Sequence, residues 1–301
     1  MNEVTSLFKM NKRLKSAEYI SNFESIFKCP ICHSTMMVFE FKSLICSNNH
    51  TFDFTKQGYI NLTTHQVKTK YSKDLFEARR KLIIEDGFFK PLSQAIAEII
   101  NKHTIKKGEI SLIDMGCGEG SHLSSICDIV SSEYNKTIKG VGIDLSKEGI
   151  LVAAKNYTNK IWAVADLANT PFKDKQFDVI LNILSPSNYA EFNRLTKADG
   201  LVVKVVPQCG YLKEFREVIF DEPKKQSYTN VNTVERFNMN FKLVDSSRLC
   251  YTVTLNNPSI QTLVQMTPLS WAATESQAKL FLEANSAQIT VDLEILIGKK
   301  Y

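Results

Sequence analysis

Four side chains that bind soft metal ions lie close together near the start of the chain. They form two pairs, Cys29-x-x-Cys32 and Cys46-x-x-x-His50, with residues 33–45 between them. Two such pairs on tight turns suit tetrahedral Zn²⁺, and the intervening residues can form a hairpin that brings the pairs together. Because protein ligands would fill all four positions, the pattern predicts a structural zinc site. There the ion replaces the hydrophobic core that so short a module cannot build.

The zinc prediction has two alternatives. His33 follows Cys32 directly and competes with His50 as the fourth ligand, but neighbouring residues on one turn rarely bind the same ion. The cysteines could also be free thiols that cluster by chance. A zinc site by itself leaves open whether the module binds RNA, binds protein or only folds the N-terminus.

A second group of residues that could bind a ligand follows an apolar strand. Its sequence is Asp114-Met115-Gly116-Cys117-Gly118-Glu119-Gly120. Its glycines allow the backbone to pass close to a ligand. A dinucleotide fingerprint requires Gly-x-Gly-x-x-Gly, and Ser121 stands where its last glycine would be. An acid at the strand end would repel a pyrophosphate but can pair with the amino-acid end of S-adenosylmethionine. The loop therefore favours S-adenosylmethionine over NAD or FAD, or over a purely structural turn.

Further polar residues follow the next predicted strands. Asp144 ends the second strand, where an acid can bind ribose hydroxyls, and Asp166 ends the third, near the expected adenine amine,. Ligands of open α/β sheets lie outside the carboxyl ends of the strands. Asn182 and Ser185, with the residues up to Ser187, are therefore candidates to face the acceptor, unless this segment is a plain loop.

The elements that position these residues alternate between strands and helices. Strands are predicted at Ile110–Met115, Lys139–Asp144, Lys160–Asp166, Phe177–Leu184 and Gly200–Pro207, and helices at Pro91–Lys102, after Gly120 and at Lys147–Tyr157. This alternation indicates βαβ units and a parallel sheet, hence an α/β, Rossmann-like fold. The β-rich segments Phe241–Thr254 and Ile289–Lys299 could close the sheet.

Composition and layout set limits on the kind of protein. Of the 301 residues, 44% are hydrophobic and 23% charged, with a net charge of +5, which permits an RNA partner without requiring one,. The seven cysteines, an odd number without a secretion signal, argue against a disulfide framework,. No apolar run is long enough to span a membrane, so we expect a cytoplasmic protein. We predict an extension at 1–27, a zinc-binding domain at 28–70 and a methyltransferase domain at 71–301.

Two segments outside these motifs carry weaker signals. Residues 1–27 show helical spacing at Leu7, Met10 and Leu14 and predict a short amphipathic helix, or else a solvated basic extension. The stretch from Thr63 to Lys81 is rich in Lys and Arg, and its part from Lys68 to Lys81 is either an RNA-binding surface or an ordinary solvated face.

The quoted motifs, together with several more specific ones, resemble the RlmA family of ribosomal RNA guanine-N1 methyltransferases. The likeness runs from about Phe27 to the C-terminus. Its most specific parts are Gly58-Tyr59-Ile60-Asn61-Leu62 and Met266-Thr267-Pro268-x-x-Trp271, and it also includes Ala78-Arg79-Arg80 and Phe89-Lys90-Pro91-Leu92. The fold it implies is the class I S-adenosylmethionine methyltransferase fold with a small N-terminal zinc-binding domain.

The resemblance also implies an activity and a set of site residues. The activity is methyl transfer to guanine N1 in a hairpin of 23S rRNA near the peptide exit tunnel, by an enzyme that acts as a homodimer. The family's zinc ligands fall on Cys29, Cys32, Cys46 and His50. Its cofactor contacts fall on Phe89, Gly118, Glu119 and Tyr211, although Phe89 replaces a Tyr and Tyr211 a His of the family pattern. Leu184-Ser185-Pro186 stands where the family often has Tyr-Ala-Pro.

Two other functions are compatible with the same motifs. The first is an S-adenosylmethionine-dependent methyltransferase that acts on another RNA or on a small molecule and carries a zinc ribbon. The second is a non-catalytic RNA-binding module with a degenerate cofactor pocket. The intact loop from Asp114 to Gly120 and the acid at Asp144 argue against the second.

Overall fold

The N-terminal part of the chain combines one helix with a small antiparallel sheet. The computed structural model describes residues 11–65, 69–220, 228–272 and 275–301. Helix α1 spans Lys12–Ser21 and is followed by a 3₁₀ turn at Glu24–Ile26. Strands β1 (Met36–Phe39), β2 (Ser43–Cys46) and β3 (Thr51–Asp53) form the small sheet in that order. The predicted N-terminal helix is thus confirmed for 12–21, whereas Leu7 and Met10 lie outside the described residues.

An eight-stranded sheet forms the centre of the molecule. Its strands are β4 (Ile60–Asn61), β5 (Glu109–Met115), β6 (Thr137–Asp144), β7 (Ile161–Val164), β8 (Phe177–Ile183), β9 (Thr196–Pro207), β10 (Lys242–Asn256) and β11 (Ser286–Lys299). The order is β10-β11-β9-β8-β5-β6-β7-β4, parallel from β4 to β9, with β10 and β11 antiparallel. The order reverses at β5, so the ligand crevice is expected at the carboxyl ends of β5, β6 and β8.

Helices cover both faces of this sheet. In chain order they are α2 (Lys73–Ile84), α3 (Lys90–His103), α4 (Ser121–Tyr134), α5 (Lys147–Asn156), α6 (Tyr189–Leu195), α7 (Lys213–Ile219), α8 (Val231–Asn240), α9 (Asn257–Met266) and α10 (Glu275–Leu282). A further 3₁₀ turn spans Pro268–Ala272. One apolar core contains side chains of α2–α5, α7, α9 and α10, and the other contains side chains of α1, α6, α8 and the zinc module. Burial on both faces explains why β8 is apolar almost throughout,.

The small N-terminal sheet is joined to the large one at several points. β4 pairs in parallel with β7, and the Leu62 N–H donates to the Val164 carbonyl at 2.9 Å. A single bridge links Phe27 to Phe172, whose buried rings lie 5.2 Å apart. Residues 165–176, between β7 and β8, contain no helix, and the zinc module covers this part of the sheet instead. The N-terminal module is therefore part of the main core.

Most predicted elements are confirmed, with two local differences. The segment Phe27–Pro30, for which the sequence also predicts a short ribbon strand, does not form one, since only Phe27 and Lys28 make single bridges. The third parallel strand covers only Ile161–Val164, because Asp166 already belongs to a turn in which its Oδ1 accepts the Ala168 N–H at 2.8 Å. Among the described helices, none combines the length and the apolar character needed to cross a bilayer.

Candidate functional site

The four predicted metal ligands meet at one point. The ligand atoms of Cys29, Cys32, Cys46 and His50 all lie within 4.8 Å of one another. His50 Nδ1 is 3.5 Å from both Cys29 Sγ and Cys46 Sγ, and the sulfur atoms of Cys32 and Cys46 are 3.6 Å apart. A tetrahedral ion with Zn–S bonds of about 2.3 Å places its sulfur ligands about 3.8 Å apart. The donor set and its spacing therefore fit one structural zinc ion.

Local backbone turns produce this arrangement. The Cys29 N–H donates to the Ser34 carbonyl at 2.8 Å, and the Cys46 N–H donates to the His50 carbonyl at 3.1 Å. The strands β1 and β2, with Met36 opposite Cys46, bring the two turns side by side. His33 lies in the first turn with a positive φ of 60° and is exposed, outside the ligand group. The choice of His50 over His33 is thus confirmed.

The glycine loop between β5 and α4 is built for close approach of the backbone. Gly116 has a φ of +89°, and a Cβ atom there would lie 1.9 Å from Ser185 Oγ. Gly120 has a φ of +80°, and a Cβ atom there would lie 2.4 Å from the Trp162 ring. Side chains at either position would be strained and would collide. The loop therefore lies against both β7 and the segment that follows β8.

Asp114, at the end of β5, is a buried acid without a complete set of partners. Its side chain is 1% exposed, and its Oδ1 has no hydrogen-bond partner among the described residues. Burial raises the pKa of Asp114 to about 8; positive Arg79 opposes this shift, and Asp144 and Glu119 add to it. A buried carboxyl in this state is well suited to receive a cationic group such as the ammonium of an amino acid.

Asp144 connects the second strand with the glycine loop. Its Oδ2 accepts the Gly118 N–H at 2.8 Å, and its Oδ1 accepts the Ser146 N–H at 2.7 Å. Burial raises the pKa of Asp144, and these two backbone hydrogen bonds lower it. The remaining lone pairs could accept ribose hydroxyls. Asp166 lies half-buried one strand further along, in the turn that begins after β7, and does not itself end that strand as predicted.

The loop after β8 is fixed by the side chain of Asn182, which is fully buried. Its Nδ2 donates to the carbonyls of Met115 and Pro186 at 2.9 and 3.0 Å. Its Oδ1 accepts from Ser187 Oγ at 3.0 Å and from Lys204 Nζ at 2.7 Å. All four hydrogen-bonding positions of the amide are thus occupied by protein, which favours a positioning role for Asn182. Ser185 is half-buried beside Gly116, at the junction of this loop with the glycine loop.

The other two predicted cofactor contacts flank the same crevice. Phe89 is 1% exposed, directly precedes α3 and packs edge-on against His122 with ring centroids 5.1 Å apart. Tyr211 lies half-buried in the turn after β9. Burial raises the pKa of Tyr211 to about 12, and the positive charge of Arg79 lowers it. Their contact with a cofactor stays a prediction.

Three residues of this region are not predicted from the sequence to take part in the donor site. Arg79 on α2 places its Nε 2.9 Å from Glu119 Oε2. His122 is buried with no partner for either ring nitrogen among the described residues, and burial lowers its pKa to about 3. Lys204 on β9 is buried against Asn182. Arg79 belongs to the Ala78-Arg79-Arg80 match and to the basic stretch, whereas His122 and Lys204 belong to no quoted motif.

The orphaned buried atoms test whether the crevice suits S-adenosylmethionine. Asp114 Oδ1 and both ring nitrogens of His122 have no hydrogen-bond partner among the described residues, and Glu119 Oε2 has only the ion pair with Arg79. Buried polar groups are normally satisfied, so such a cluster indicates a site for a polar ligand. Acidic groups beside a glycine loop fit the cationic methionine part of S-adenosylmethionine and not a pyrophosphate.

Comparisons with known proteins agree with this geometry. Residues 27–73 match the N-terminal zinc-ribbon domain family named for RlmA, and residues 106–265 match a methyltransferase domain family. The two matched segments contain the zinc ligands and the glycine loop, respectively. The cofactors of the protein are thus S-adenosylmethionine and a zinc ion.

Curated relatives match over most of the chain. YxjB of Bacillus subtilis (strain 168), which carries the name of a 23S rRNA (guanine-N(1)-)-methyltransferase, is 49% identical over 278 residues, which is 92% of this chain and 98% of that protein. The 23S rRNA (guanine(748)-N(1))-methyltransferase of Streptomyces fradiae is 27% identical over 81% of this chain and 85% of its own length. With both domains matched and the first relative covered almost completely, the chain belongs to the RlmA family of S-adenosylmethionine-dependent methyltransferases.

Proposed function

We propose that the protein transfers the methyl group of S-adenosylmethionine to N1 of a guanine in a hairpin of 23S rRNA. The observation that carries this proposal is the likeness to YxjB over 92% of the chain, because it spans both the zinc module and the methyltransferase domain. The glycine loop, Asp114 and Asp144 supply the donor site that such a reaction needs. The match of residues 27–73 to the zinc ribbon of the RlmA family also supports this proposal.

The acceptor site is expected where the segment after β8 meets the glycine loop. Guanine N1 carries a proton, so the enzyme must hold the base in line with the donor and stabilise charge that develops on its O6–N1 edge. S-adenosylmethionine supplies the electrophilic methyl group. The contact of Ser185 with Gly116 puts this segment beside the donor loop. Asn182, fixed by Lys204 and Ser187, holds the segment in shape.

Exposed basic and aromatic side chains near the same crevice support an RNA substrate. Lys70 and Lys73 are exposed at the start of α2, and Tyr71 and Trp271 are 40% and 52% exposed with ring centroids 5.6 Å apart. The ring centroids of Tyr71 and Phe76 are 6.0 Å apart. A Cβ atom at Gly118 would lie 3.4 Å from the Phe76 ring, so this aromatic group borders the glycine loop. Lysines can neutralise phosphates, and paired aromatic rings can stack an unpaired base. Lys68, which belongs to the same basic stretch, lies outside the described residues.

The quaternary structure and compartment belong to the same proposal. An apolar group on the zinc module, Ile31, Met37, Phe39 and Phe41, is between 46% and 59% exposed. A second copy of the chain could cover it, which supports the expected homodimer. Light scattering on the purified protein, with Phe39→Glu as the disrupting variant, measures this directly. The compartment proposed is the cytoplasm, where ribosomal RNA is available.

The central experiment maps the product. 23S rRNA from cells with and without the gene is reverse-transcribed, and methylation at guanine N1 stops the transcriptase because it blocks base pairing. We expect one strong stop that depends on the gene and is restored on unmodified RNA by purified protein with S-adenosylmethionine. Methyl incorporation only into another RNA or into a metabolite pool would favour the alternative methyltransferase. RNA binding without any transfer would favour the non-catalytic module.

A second experiment addresses the basic surface. Lys70→Glu together with Lys73→Glu is expected to weaken binding of the RNA hairpin and to flatten its dependence on salt, because fewer counterions are released. Lys279→Glu, at an exposed position on α10, is the control for charge reversal away from this stretch, with Lys70→Glu and Lys73→Glu also measured singly beside it. Unchanged affinity and salt dependence in the double variant would remove this stretch from the interface.

A further inference from the structure

One guanidinium group stands among several buried acids in the donor crevice. Glu119 is fully buried and Asp114 is 1% exposed, while Arg79 reaches them from α2, which lies outside the glycine loop. The charge of Arg79 acts on both Asp114 and Asp144. The crevice therefore contains three carboxyl groups around a single arginine of the described chain.

The position of Arg79 leaves part of its guanidinium free for a ligand. Its Nε lies 2.9 Å from Glu119 Oε2, yet without the geometry of a hydrogen bond, and both atoms lack a hydrogen-bond partner among the described residues. The same Nε would lie 4.0 Å from a Cβ atom at Gly118, so the group borders the loop itself. A guanidinium has five N–H donors in a planar fork. It can face Glu119 with one edge and still present another to an anion.

The charges of the donor match this arrangement. S-adenosylmethionine carries an ammonium and a sulfonium group, both positive, and one negative carboxylate. Asp114 and Asp144 suit the positive charges, but they would repel the carboxylate, which needs a cation of its own. His122 does not supply one, because burial lowers its pKa to about 3 and keeps the ring neutral. Lys204, the other buried cation of this region, donates to the Asn182 amide instead. Among the described residues, Arg79 is the cation whose charge acts on Asp114 and Asp144.

We propose that Arg79 binds the α-carboxylate of S-adenosylmethionine, while Asp114 receives its ammonium group. The pairing fixes the direction of the methionine chain along the glycine loop, since reversal would bring carboxylate to carboxylate. It also explains why an arginine from α2 is placed in a crevice of acids. This inference rests on the donor of the proposed function and is independent of its acceptor.

The neighbouring residue Arg80 provides a matched control. Its Nη2 donates to Glu85 Oε1 at 2.7 Å, and its Nε lies 3.7 Å from Glu77 Oε2, so its charge is engaged by two acids of α2 and its C-terminal end and not by the acids of the donor crevice. Arg79→Gln and Arg80→Gln remove the same charge from adjacent positions of one helix. Arg79→Lys keeps the charge but loses the planar fork.

The test measures binding by calorimetry with four ligands that differ at the methionine end. These are S-adenosylmethionine, S-adenosylhomocysteine, decarboxylated S-adenosylmethionine, and 5′-methylthioadenosine, which lacks the whole amino-acid group. Arg79→Gln is expected to weaken S-adenosylhomocysteine binding about 10- to 100-fold, the range for a hydrogen bond between charged groups. It should leave 5′-methylthioadenosine binding unchanged. Arg79→Lys should fall in between, and Arg80→Gln should match the wild type with every ligand.

The wild type gives a second, independent result. It should bind S-adenosylmethionine more tightly than the decarboxylated form, and Arg79→Gln should lose this preference. If Arg79→Gln weakens 5′-methylthioadenosine as much as S-adenosylhomocysteine, the residue only supports the fold and the proposal fails. The proposal also fails if the wild type shows no preference for the carboxylate, a result that needs no variant to fold. Failure of all four ligands to bind the wild type would instead overturn the donor site itself.

Discussion

The zinc site and the donor crevice are both built around short sequence motifs, but they differ in how far apart in the sequence their remaining residues lie. All four zinc ligands come from one stretch between Cys29 and His50, and the turns that hold them are local. The donor crevice takes Asp114 and Asp144 from successive strands but Arg79 from a helix well before them. A metal site can therefore be read from spacing alone, whereas the charge balance of the crevice depends on how distant elements pack.

The largest effect is expected at the zinc site. Cys46→Ser removes one thiolate, and a four-ligand structural site contributes on the order of 10 kcal/mol of folding free energy. Because β4 and Phe27 tie the module to the main sheet, the melting temperature of the whole chain should fall with the zinc content. Elemental analysis and thermal melting measure the two quantities.

Cys250→Ser, at an exposed cysteine, is the control and should retain one zinc ion per chain with unchanged melting. If Cys46→Ser lowers the zinc content but the melting temperature stays the same, the module would be an appendage without energetic coupling to the sheet. That result would contradict the shared core described for the two parts.

The sequence reveals most of the fold, for physical reasons that particular elements illustrate. The apolar run of β8 predicts a parallel strand, because burial on both faces requires apolar residues,. The glycine loop predicts the ligand edge of the sheet, because close approach of the backbone requires glycine. The saturated amide of Asn182 could not be foreseen, since its partners Met115 and Lys204 come from other strands. Likewise the covering of residues 165–176 by the zinc module leaves no periodic signal.

The next effect in size concerns the glycine loop. Gly116→Ala introduces a Cβ atom 1.9 Å from Ser185 Oγ at a φ of +89°. Backbone strain of about 1–3 kcal/mol, together with displacement of the loop, should weaken S-adenosylhomocysteine binding on the order of 100-fold. Calorimetry measures the affinity, and zinc content reports on the N-terminal module.

Gly108→Ala is the matched control, because a Cβ atom there would meet nothing within 4 Å. Adding Ser185→Gly to Gly116→Ala removes the collision but not the unfavourable φ, so affinity should recover only in part. Full binding by Gly116→Ala alone would show that the donor does not approach this part of the loop.

A smaller effect should appear as a pH dependence of stability in the donor-free protein. Burial raises the pKa of Asp114 from 3.8 to about 8, so the folded protein holds this proton more tightly than the unfolded chain does. The contribution of Asp114 to the free energy of unfolding is therefore fully present below pH 3.8 and is lost as the pH rises through about 8. Relative to Asp114→Asn, the wild type should lose about 1 kcal/mol per pH unit between pH 6 and pH 8.

Urea unfolding of both proteins across that pH range, with zinc bound throughout, measures the difference. Comparison with the variant cancels the titration of unrelated groups. If the free energy of unfolding depends on pH in the same way for the two proteins, Asp114 is already ionised in the donor-free protein. Its carboxyl would then behave like an ordinary exposed carboxylate.

The smallest effect is expected where the crevice meets RNA. Trp271→Ala removes a ring that is 52% exposed and pairs with Tyr71. If the pair stacks an unpaired base, affinity for the 23S rRNA hairpin should fall by about 1 kcal/mol, the lower end of the range for stacking on one ring, and Trp271→Phe should retain most of it. Tyr301→Ala, at a more exposed aromatic position, is the control. Equal affinity of Trp271→Ala and wild type would mean that the two rings pack on the protein surface without binding RNA. The unpaired target base would then have to be held by the segment around Ser185.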